Sequence, residues 1–442
     1  MAAYKMSPDT LSVFVQGVDE NTPLVAVNAD VSRNPASTIK LLTTLMSLEV
    51  LGPAFTWKTE AYLGGDLDDG TLDGDLFLKG YGDPYMVIER YWLFLRQMRQ
   101  RGLVRIDGDL VIDDSFFDIQ ADDTSAFDGQ PQRVYNVLPN AFLVNFQAVE
   151  FSFTPNPLIS GVTIFPDPNP VNLEINNLLR LTGGNCRGFQ NGIAFKLTDT
   201  PEKNRVTFSG RYRSGCPEYH LTRAVLQAPT YAYGVFESLW LNMGAELTGG
   251  LRVGPVPGDV EPFVVVESPP LAEIVRSVNK WSNNVMARHL FLTMGAEYLG
   301  PPATVGKGRK AAAAYLAEKG LNFPELRIDN GAGLSRSTRI TAANLGRVLL
   351  TAHDSMYSAE FIASLPLAGL DGTLRKRFLN EGLTGHMHLK TGRLSGVFAM
   401  AGYIRARSGR EYVVVAIQNH TDAHRGPGEE LQSEFLRWVY RQ

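Results

Sequence analysis

Two short β-type runs, LSVFVQ at 11–16 and LVAV at 24–27, flank the polar turn GVDENT and predict a pair of strands. An apolar stretch with helical spacing then runs from Ser37 to about Leu51, where Gly52-Pro53 stops it. YLGGDLDDGTLDGDLFLKGYGDP reads as strand segments punctuated by Gly and Asp, followed by a helix over about 84–101 and a strand within GDLVIDDSFFD. From about 151 to 222, Pro, Gly, Asn and Thr interrupt short alternating runs such as RVTFSGRYR, the texture of a small β-rich subdomain. Beyond about 262 the pattern turns helical. FVVVESPPLAEIVRSVNKWSNNVMARHLFLTMGAEYLG predicts a strand and two helices, AAAAYLAEKG a helix closed by Gly320, and ITAANLGRVLLTAHD a helix with a Thr cap. HMHLKTG, FAMAGYI and YVVVAIQN predict three strands before a last helix near 427–441.

Helices followed by antiparallel strands imply an α+β layer of helices on a sheet, and the opening strands are expected to join the closing sheet. Residues 60–261 then form one large insertion. The expected division is a discontinuous domain of 1–59 and 262–442, an inserted mixed α/β domain of 60–150 and 223–261, and a small β-rich subdomain of 151–222. The 442 residues suffice for two or three cores.

Composition adds exclusions. Apolar residues at 44%, charged residues at 20% and a net charge of −4 describe an ordinary globular chain with no reason to expect nucleic acid or an anionic membrane as partner. No run of about 18 apolar residues exists to span a bilayer. MAAYKMSPDTLSVFV lacks a basic flank followed by an apolar core, which leaves a cytoplasmic protein and a processed exported chain as competing readings. Cys186 and Cys216 lie near the two ends of a strand-like region. They fit a hairpin-type disulfide stabilising by roughly 3–4 kcal/mol, and equally two buried thiols in a reducing compartment.

Three short motifs carry the chemistry: Ser37-Thr38-Ile39-Lys40 at a helix start, Ser282-Asn283-Asn284 after Trp281, and Lys390-Thr391-Gly392 at the end of HMHLKTG. Each alone is a weak signal, since the first reads as a helix cap with a solvated lysine, the second as a turn and the third as a strand end. In this order they make up the set found in penicillin-binding proteins and serine β-lactamases. A serine hydroxyl needs a base, and Lys40 can serve only when neutral, through burial or a second cation such as Lys390. The Ser282 hydroxyl both donates and accepts, which suits proton transfer to a leaving amine. Asn284 can bind a substrate amide. Lys390 and Thr391 can hold a carboxylate, and Gly392 lets a substrate backbone lie against the strand edge. Two backbone N–H groups would hold the oxyanion, that of Ser37 and that of the residue after Gly392.

These motifs, with PASTIK, LFLKGYGDP, SNNVMARHLF, DNGAGLSR, SLPLAGLDGTLRKRF and HLKTGRLSGVFAMAGY, resemble the low-molecular-mass class C penicillin-binding proteins, a D-alanyl-D-alanine carboxypeptidase/endopeptidase family. The resemblance covers nearly the whole chain. The intervals, 245 residues from Ser37 to Ser282 and 108 from there to Lys390, are similar to this family's insertion of two extra domains between the first two motifs. It implies a penicillin-recognising α/β transpeptidase-like fold, an antiparallel sheet with helices on both sides. By resemblance Ser37 is the acylated nucleophile, Lys40 its base and Ser282 the proton relay with Lys390 nearby, while Asn284, Thr391 and Gly392 contact substrate. The implied partners are peptidoglycan stem peptides and β-lactams, with no cofactor, in the periplasm or outer wall. That compartment favours a removed signal peptide and an oxidised Cys186–Cys216 pair; peripheral wall or membrane association and a homodimer are compatible with it.

Two residues depart from the pattern: Asn283, which the family tolerates, and Arg393, which follows Gly392 where a small residue is common. The Arg393 side chain is expected either to contact the carboxylate or to narrow the cleft. Arg336, in DNGAGLSRSTRIT, resembles the family arginine that meets the acidic end of a diaminopimelate side chain, and Asp128 in SAFDGQPQRVYN is a candidate for its amine. A serine β-lactamase and a catalytically idle peptidoglycan-binding relative are the alternative readings. The β-lactamase reading rests on the Glu-x-x-Leu-Asn string at Glu318–Asn322, which also reads as a helix end with Gly320 after its last turn. His386 and His388 share a strand face with Lys390, and His420 and His424 are four apart, but neither pair has clear carboxylate or cysteine partners, so no metal site is expected.

Overall fold

The computed structural model describes residues 6–120, 123–156, 158, 160–199 and 203–442. The chain forms two compact units, Met1–Thr56 with Pro269–Gln442, and Trp57–Ser268.

The first unit contains strands β1 (Leu11–Gly17), β2 (Val25–Val27), β3 (Met387–Leu394), β4 (Val397–Arg405) and β5 (Glu411–Asn419). They form one antiparallel sheet of order β3-β4-β5-β1-β2. Val13 lies opposite Ala416 and Lys390 opposite Ala401, so the opening strands do complete the closing sheet. Its helices are α1 (Lys40–Leu51), α2 (Leu271–Trp281), α3 (Asn284–Leu299), α4 (Val305–Glu318), α5 (Ala342–His353), α6 (Ser358–Ser364) and α7 (Pro427–Tyr440). The continuous apolar run of β5 is buried along its middle because both sheet faces are covered. Val13 and Val15 pack in one cluster with Leu436 and Val439 of α7. Phe14, on the other face, meets α5 so closely that a Cβ on Gly346 would stand 2.4 Å from its ring.

Helix α1 is buried along its first nine residues, Lys40 to Leu48, as a core helix rather than a surface one. Its internal polar groups are satisfied: Thr43 Oγ1 donates to Gly331 O at 2.7 Å, Thr44 Oγ1 to Lys40 O at 2.7 Å, and Asn279 Nδ2 to Thr44 Oγ1 at 3.2 Å. Helix α4 stops as its sequence predicts, with Gly320 at φ 66° and Leu321 N–H donating to Leu316 O at 2.8 Å. Thr341 caps α5 by accepting from Asn344 N.

The second unit holds a five-stranded mixed sheet ordered Leu251–Val253, Leu110–Asp113, Leu76–Gly80, Lys58–Leu63, Val264–Glu267, together with smaller sheets and helices Ile88–Gln100 and Ala228–Asn242. One continuous core runs from Ala61 to Val264 and includes Phe151 and Phe153, each edge-on to Phe208 at about 5 Å. The helix expected from about 84 begins only at Ile88, because Asp83 Oδ1 accepts from Tyr85 N and holds the preceding residues in a turn. Cys186 and Cys216 form a disulfide with Cα atoms 5.4 Å apart. The bridge is not of hairpin type: it joins the loops after Leu173–Thr182 and Asn204–Arg213, which are parallel neighbours, and the intervening strand Ile193–Asp199 pairs on the far side.

The bridge closes a loop of 30 residues. Reduction or Cys216→Ser should therefore lower the unfolding free energy of this unit by roughly 3–4 kcal/mol. Denaturant unfolding with and without reductant measures it. An unchanged midpoint in both cases would show that local packing alone holds these loops.

Candidate active site

Ser37 lies in a 3₁₀ turn, Ala36–Ile39, that runs directly into α1. It does not cap the helix. Asn34 does the local work, its Oδ1 accepting from Ala36 N at 2.9 Å while Thr38 Oγ1 donates to Pro35 O at 2.8 Å. Asn34 also receives a bond from Asn419 Nδ2 at 3.0 Å, donates its own N–H to Asn419 Oδ1 at 2.9 Å, and donates Nδ2 to Ser335 O at 2.9 Å. The end of β5 and the 335 loop thus pin the turn. Ala36 has a φ of 47°, a strained conformation for a residue with a Cβ, immediately before the serine.

The Lys40 side chain is fully buried. Its Nζ stands 3.1 Å from Ser37 Oγ and 2.7 Å from Asn284 Oδ1, and it also donates to Ala332 O. Burial first, then the cations of Lys390 and Arg288, hold its ammonium well below the usual lysine range. Ala332 reaches the lysine because Gly331 and Gly333 on either side take φ of 70° and 76°. A Cβ on Gly333 would stand 2.1 Å from Ala36 O, so only glycine lets this loop close on the serine turn.

Ser282 terminates α2 in the left-handed region at φ 57°, with its N–H and that of Asn283 both donating to Val278 O. Asn283 then caps α3 by accepting from Met286 N at 3.1 Å, and Asn284 is the first residue of that helix. Lys390, buried on β3, donates to Ser282 Oγ at 2.8 Å and to Thr391 O at 2.9 Å, and burial pulls its ammonium down to about 7. A Cβ on Gly392 would stand 2.7 Å from Pro35 O and 3.0 Å from Ser37 N, so the strand passes hard against the serine turn. Ser37, Lys40, Ser282, Asn284, Lys390, Thr391 and Gly392 are thereby brought together.

The remaining candidates lie differently. The Arg393 guanidinium donates to His424 O, which ties it to the C-terminal loop. Arg336 Nη1 donates to Ser395 O at 2.9 Å, at the turn after β3. Asp128 belongs to the other unit, where its carboxylate accepts from Tyr135 Oη at 2.7 Å, Asn136 Nδ2 at 2.9 Å and Gln130 N at 3.0 Å. Glu318 is exposed in the last turn of α4. His424 accepts from Gly396 N at 3.1 Å, and His388 is partly buried near Lys280. Among the described residues no group of three His, Cys, Asp or Glu could hold a metal ion. Sequence reasoning missed Asn34, Asn419, Thr373 (whose hydroxyl is 3.0 Å from that of Thr391) and the Ala332 carbonyl. Asn-Pro before the serine and the alternating glycines of DNGAG were the available signals.

The profile of the D-Ala-D-Ala carboxypeptidase 3 (S13) family matches residues 2–437. D-alanyl-D-alanine carboxypeptidase DacB of Haemophilus influenzae is 24% identical over 416 residues, 91% of this chain and 84% of that protein. The crystal structure of penicillin binding protein 4 from the same organism aligns with a TM-score of 0.81 at 21% identity, over 98% of this chain and 96% of that one, and it has also been solved with a β-lactam. A predatory peptidoglycan endopeptidase of Bdellovibrio bacteriovorus aligns with a TM-score of 0.59 at 16% identity, over 98% and 92%. The structural likenesses establish the fold as the α/β β-lactamase/transpeptidase type. With its family profile matched almost end to end, the chain belongs to the D-Ala-D-Ala carboxypeptidase 3 (S13) family of peptidases.

Proposed function

We propose that this chain is a serine-type D-Ala-D-Ala carboxypeptidase and DD-endopeptidase that acts on peptidoglycan stem peptides through an acyl-enzyme on Ser37. The observation that carries this reading is the surroundings of the Lys40 amine. A neutral amine has two N–H bonds and one lone pair. Ala332 O and Asn284 Oδ1 can only accept, and they take the two hydrogens. The lone pair is left for the Ser37 hydroxyl at 3.1 Å. That is the arrangement of a base poised on its nucleophile.

In the forward step Lys40 takes the Ser37 proton as Oγ bonds to the carbonyl carbon of the penultimate D-alanine. The N–H groups of Ser37 and Arg393 are the donors for the oxyanion. As the C–N bond breaks, the Ser282 hydroxyl, held by Lys390, gives its proton to the leaving nitrogen, and the proton Lys40 gained replaces it. The Lys390 charge and the Thr391 and Thr373 hydroxyls hold the leaving group's carboxylate. Water then attacks the ester with Lys40 again as base. A β-lactam would enter the same path, but its ring-opened amine stays tethered and the ester persists. Arg336 is our candidate for the acidic end of the stem side chain. Asp128, with three protein donors already, we assign to its own loop.

Two alternatives lose ground. A β-lactamase needs a deacylating base, and Glu318 sits exposed at the end of α4, tied to a helix stop. An idle relative has no use for a buried lysine kept below its usual range beside a serine. We place the enzyme outside the cytoplasmic membrane, where both its substrate and the Cys186–Cys216 bridge belong. Among the described residues no helix is long and apolar enough to cross a membrane.

Three outcomes are expected. Benzylpenicillin should add its mass to the Ser37 peptide, and Ser37→Ala should take up none; a wild-type enzyme without adduct sinks the acyl-enzyme. Ser282→Gly should be about 1 kcal/mol more stable than Ser282→Ala, because both lose the acceptor for Lys390 but only glycine relieves the left-handed strain, and both should lower kcat/KM roughly 10²–10⁴-fold through the lost hydroxyl. Thermal melts and peptide turnover, with Ser282→Ala as the strained control, separate the two effects. The pH dependence of kcat/KM should rise as Lys40 loses its proton and fall through about pH 7 as Lys390 loses its own. A profile still climbing well above neutrality removes the need for a charged Lys390.

A further inference from the structure

β3 is an edge strand, but only part of its outer edge is open. Leu389 N–H donates to Pro366 O at 2.9 Å and Ala368 N–H to Met387 O at 3.0 Å, so the segment 366–368 covers residues 387–389. The segment then turns away and is clamped to the end of α2. Lys280 Nζ donates to Asp371 Oδ2 and to Leu365 O, each at 2.6 Å, and a Cβ on Gly372 would stand 2.6 Å from Lys280 O. Thr373 Oγ1 lies 3.0 Å from Thr391 Oγ1. A peptide laid along the open edge, from Thr391 toward Arg393, therefore has its leaving group at the Thr391–Thr373 pair. Whatever extends beyond that group runs onto the ledge made by residues 370–375 and the last turn of α2.

Besides Thr373, the ledge carries three exposed side chains. Trp281, the residue before Ser282, is 61% exposed, and Leu370 is 58% exposed. The exposed Arg375 guanidinium stands 5.9 Å from the indole centre, donates to Gly372 O at 3.3 Å and has no ion pair among the described residues. A large ring in water beside a catalytic hydroxyl, with a cation on its face and no acid to meet it, is a surface made for a ligand with an apolar body and a carboxylate.

We propose that Trp281 and Arg375 form the subsite for the second stem peptide of a crosslinked substrate, the indole against its body and the guanidinium on its carboxylate. This rests on the peptidase reading above and deepens it. Release of a single D-alanine puts nothing on the ledge beyond Thr373, because that leaving group ends at the carboxylate held by Thr391 and Thr373. Cleavage of a crossbridge releases a whole peptide, which has to lie there. The pair thus biases the enzyme toward endopeptidase action.

The test compares kcat/KM for a crosslinked peptide dimer with that for a single pentapeptide stem. In Trp281→Ala and in Arg375→Ala the dimer-to-pentapeptide ratio should fall about tenfold, the effect of losing one good interface contact. Arg375→Lys should recover part of it. Amidating the carboxylates of the dimer's acceptor stem should lower the wild-type ratio and abolish the effect of Arg375→Ala. A ratio unchanged in both alanine variants, with melting temperatures as in wild type, overturns the subsite while leaving the peptidase reading intact. Absence of a benzylpenicillin adduct on wild-type Ser37 overturns both.

Discussion

The catalytic unit depends on what it takes to keep the Lys40 amine out of water. An isolated ammonium at zero exposure costs several kcal/mol even after the protein relaxes around it. The acceptors that meet it come from three separate places: the Ser37 turn, the first residue of α3, and the carbonyl of Ala332. They can meet only if α1 is inside, α3 begins beside it and the glycine-flanked loop closes over both. Lys390 and Arg288 add positive charge to the same neighbourhood. Shedding the proton answers the burial and the repulsion together, and the amine that remains is a base.

The two hydroxyl positions share a second constraint. Ala36, just before Ser37, and Ser282 itself both hold positive φ, which costs a residue with a Cβ about 1–2 kcal/mol. In each case the surroundings over-determine the strained form. Asn34 is locked between Asn419 and Ser335 on one side, and α2 ends on paired N–H bonds to Val278 O on the other. The strain turns each hydroxyl out of the line its helix would give it, toward a buried lysine amine. Had Ser37 been an ordinary N-cap, its oxygen would be occupied by a backbone N–H and of little use as a nucleophile.

The chemistry was legible because it resides in residue types at fixed intervals, and the strands and helices of the first unit because their apolar runs are long and cleanly punctuated. What escaped was set by partners far away in sequence. The cap of the Ser37 turn belongs to Asn34 because Asn419 and Ser335, hundreds of residues on, fix that side chain in place. The guanidinium of Arg393 donates to the carbonyl of His424 on the C-terminal loop, a partner that no local pattern around Gly392 shows. Ala332 contributes a backbone oxygen, which leaves no mark in the sequence beyond the glycines that aim it. The parallel pairing of Leu173–Thr182 with Asn204–Arg213 was equally hidden, since a local run gives its own period but not its neighbour.

The sheet edge shows how structure and recognition divide one strand between them. An unpaired edge is a liability in a protein and an opportunity in a peptidase. Residues 366–368 cover β3 where it serves only the fold, and they leave where its N–H and C=O groups are needed for a peptide. The Lys280–Asp371 pair makes that boundary firm. It joins the covering segment to the helix whose next residues are Trp281 and Ser282. Ser282, Thr373 and the end of the open edge are therefore fixed to one another by a single buried ammonium. Loosening that clamp would shift all three at once, so an effect on turnover from Lys280 need not mean that it touches substrate.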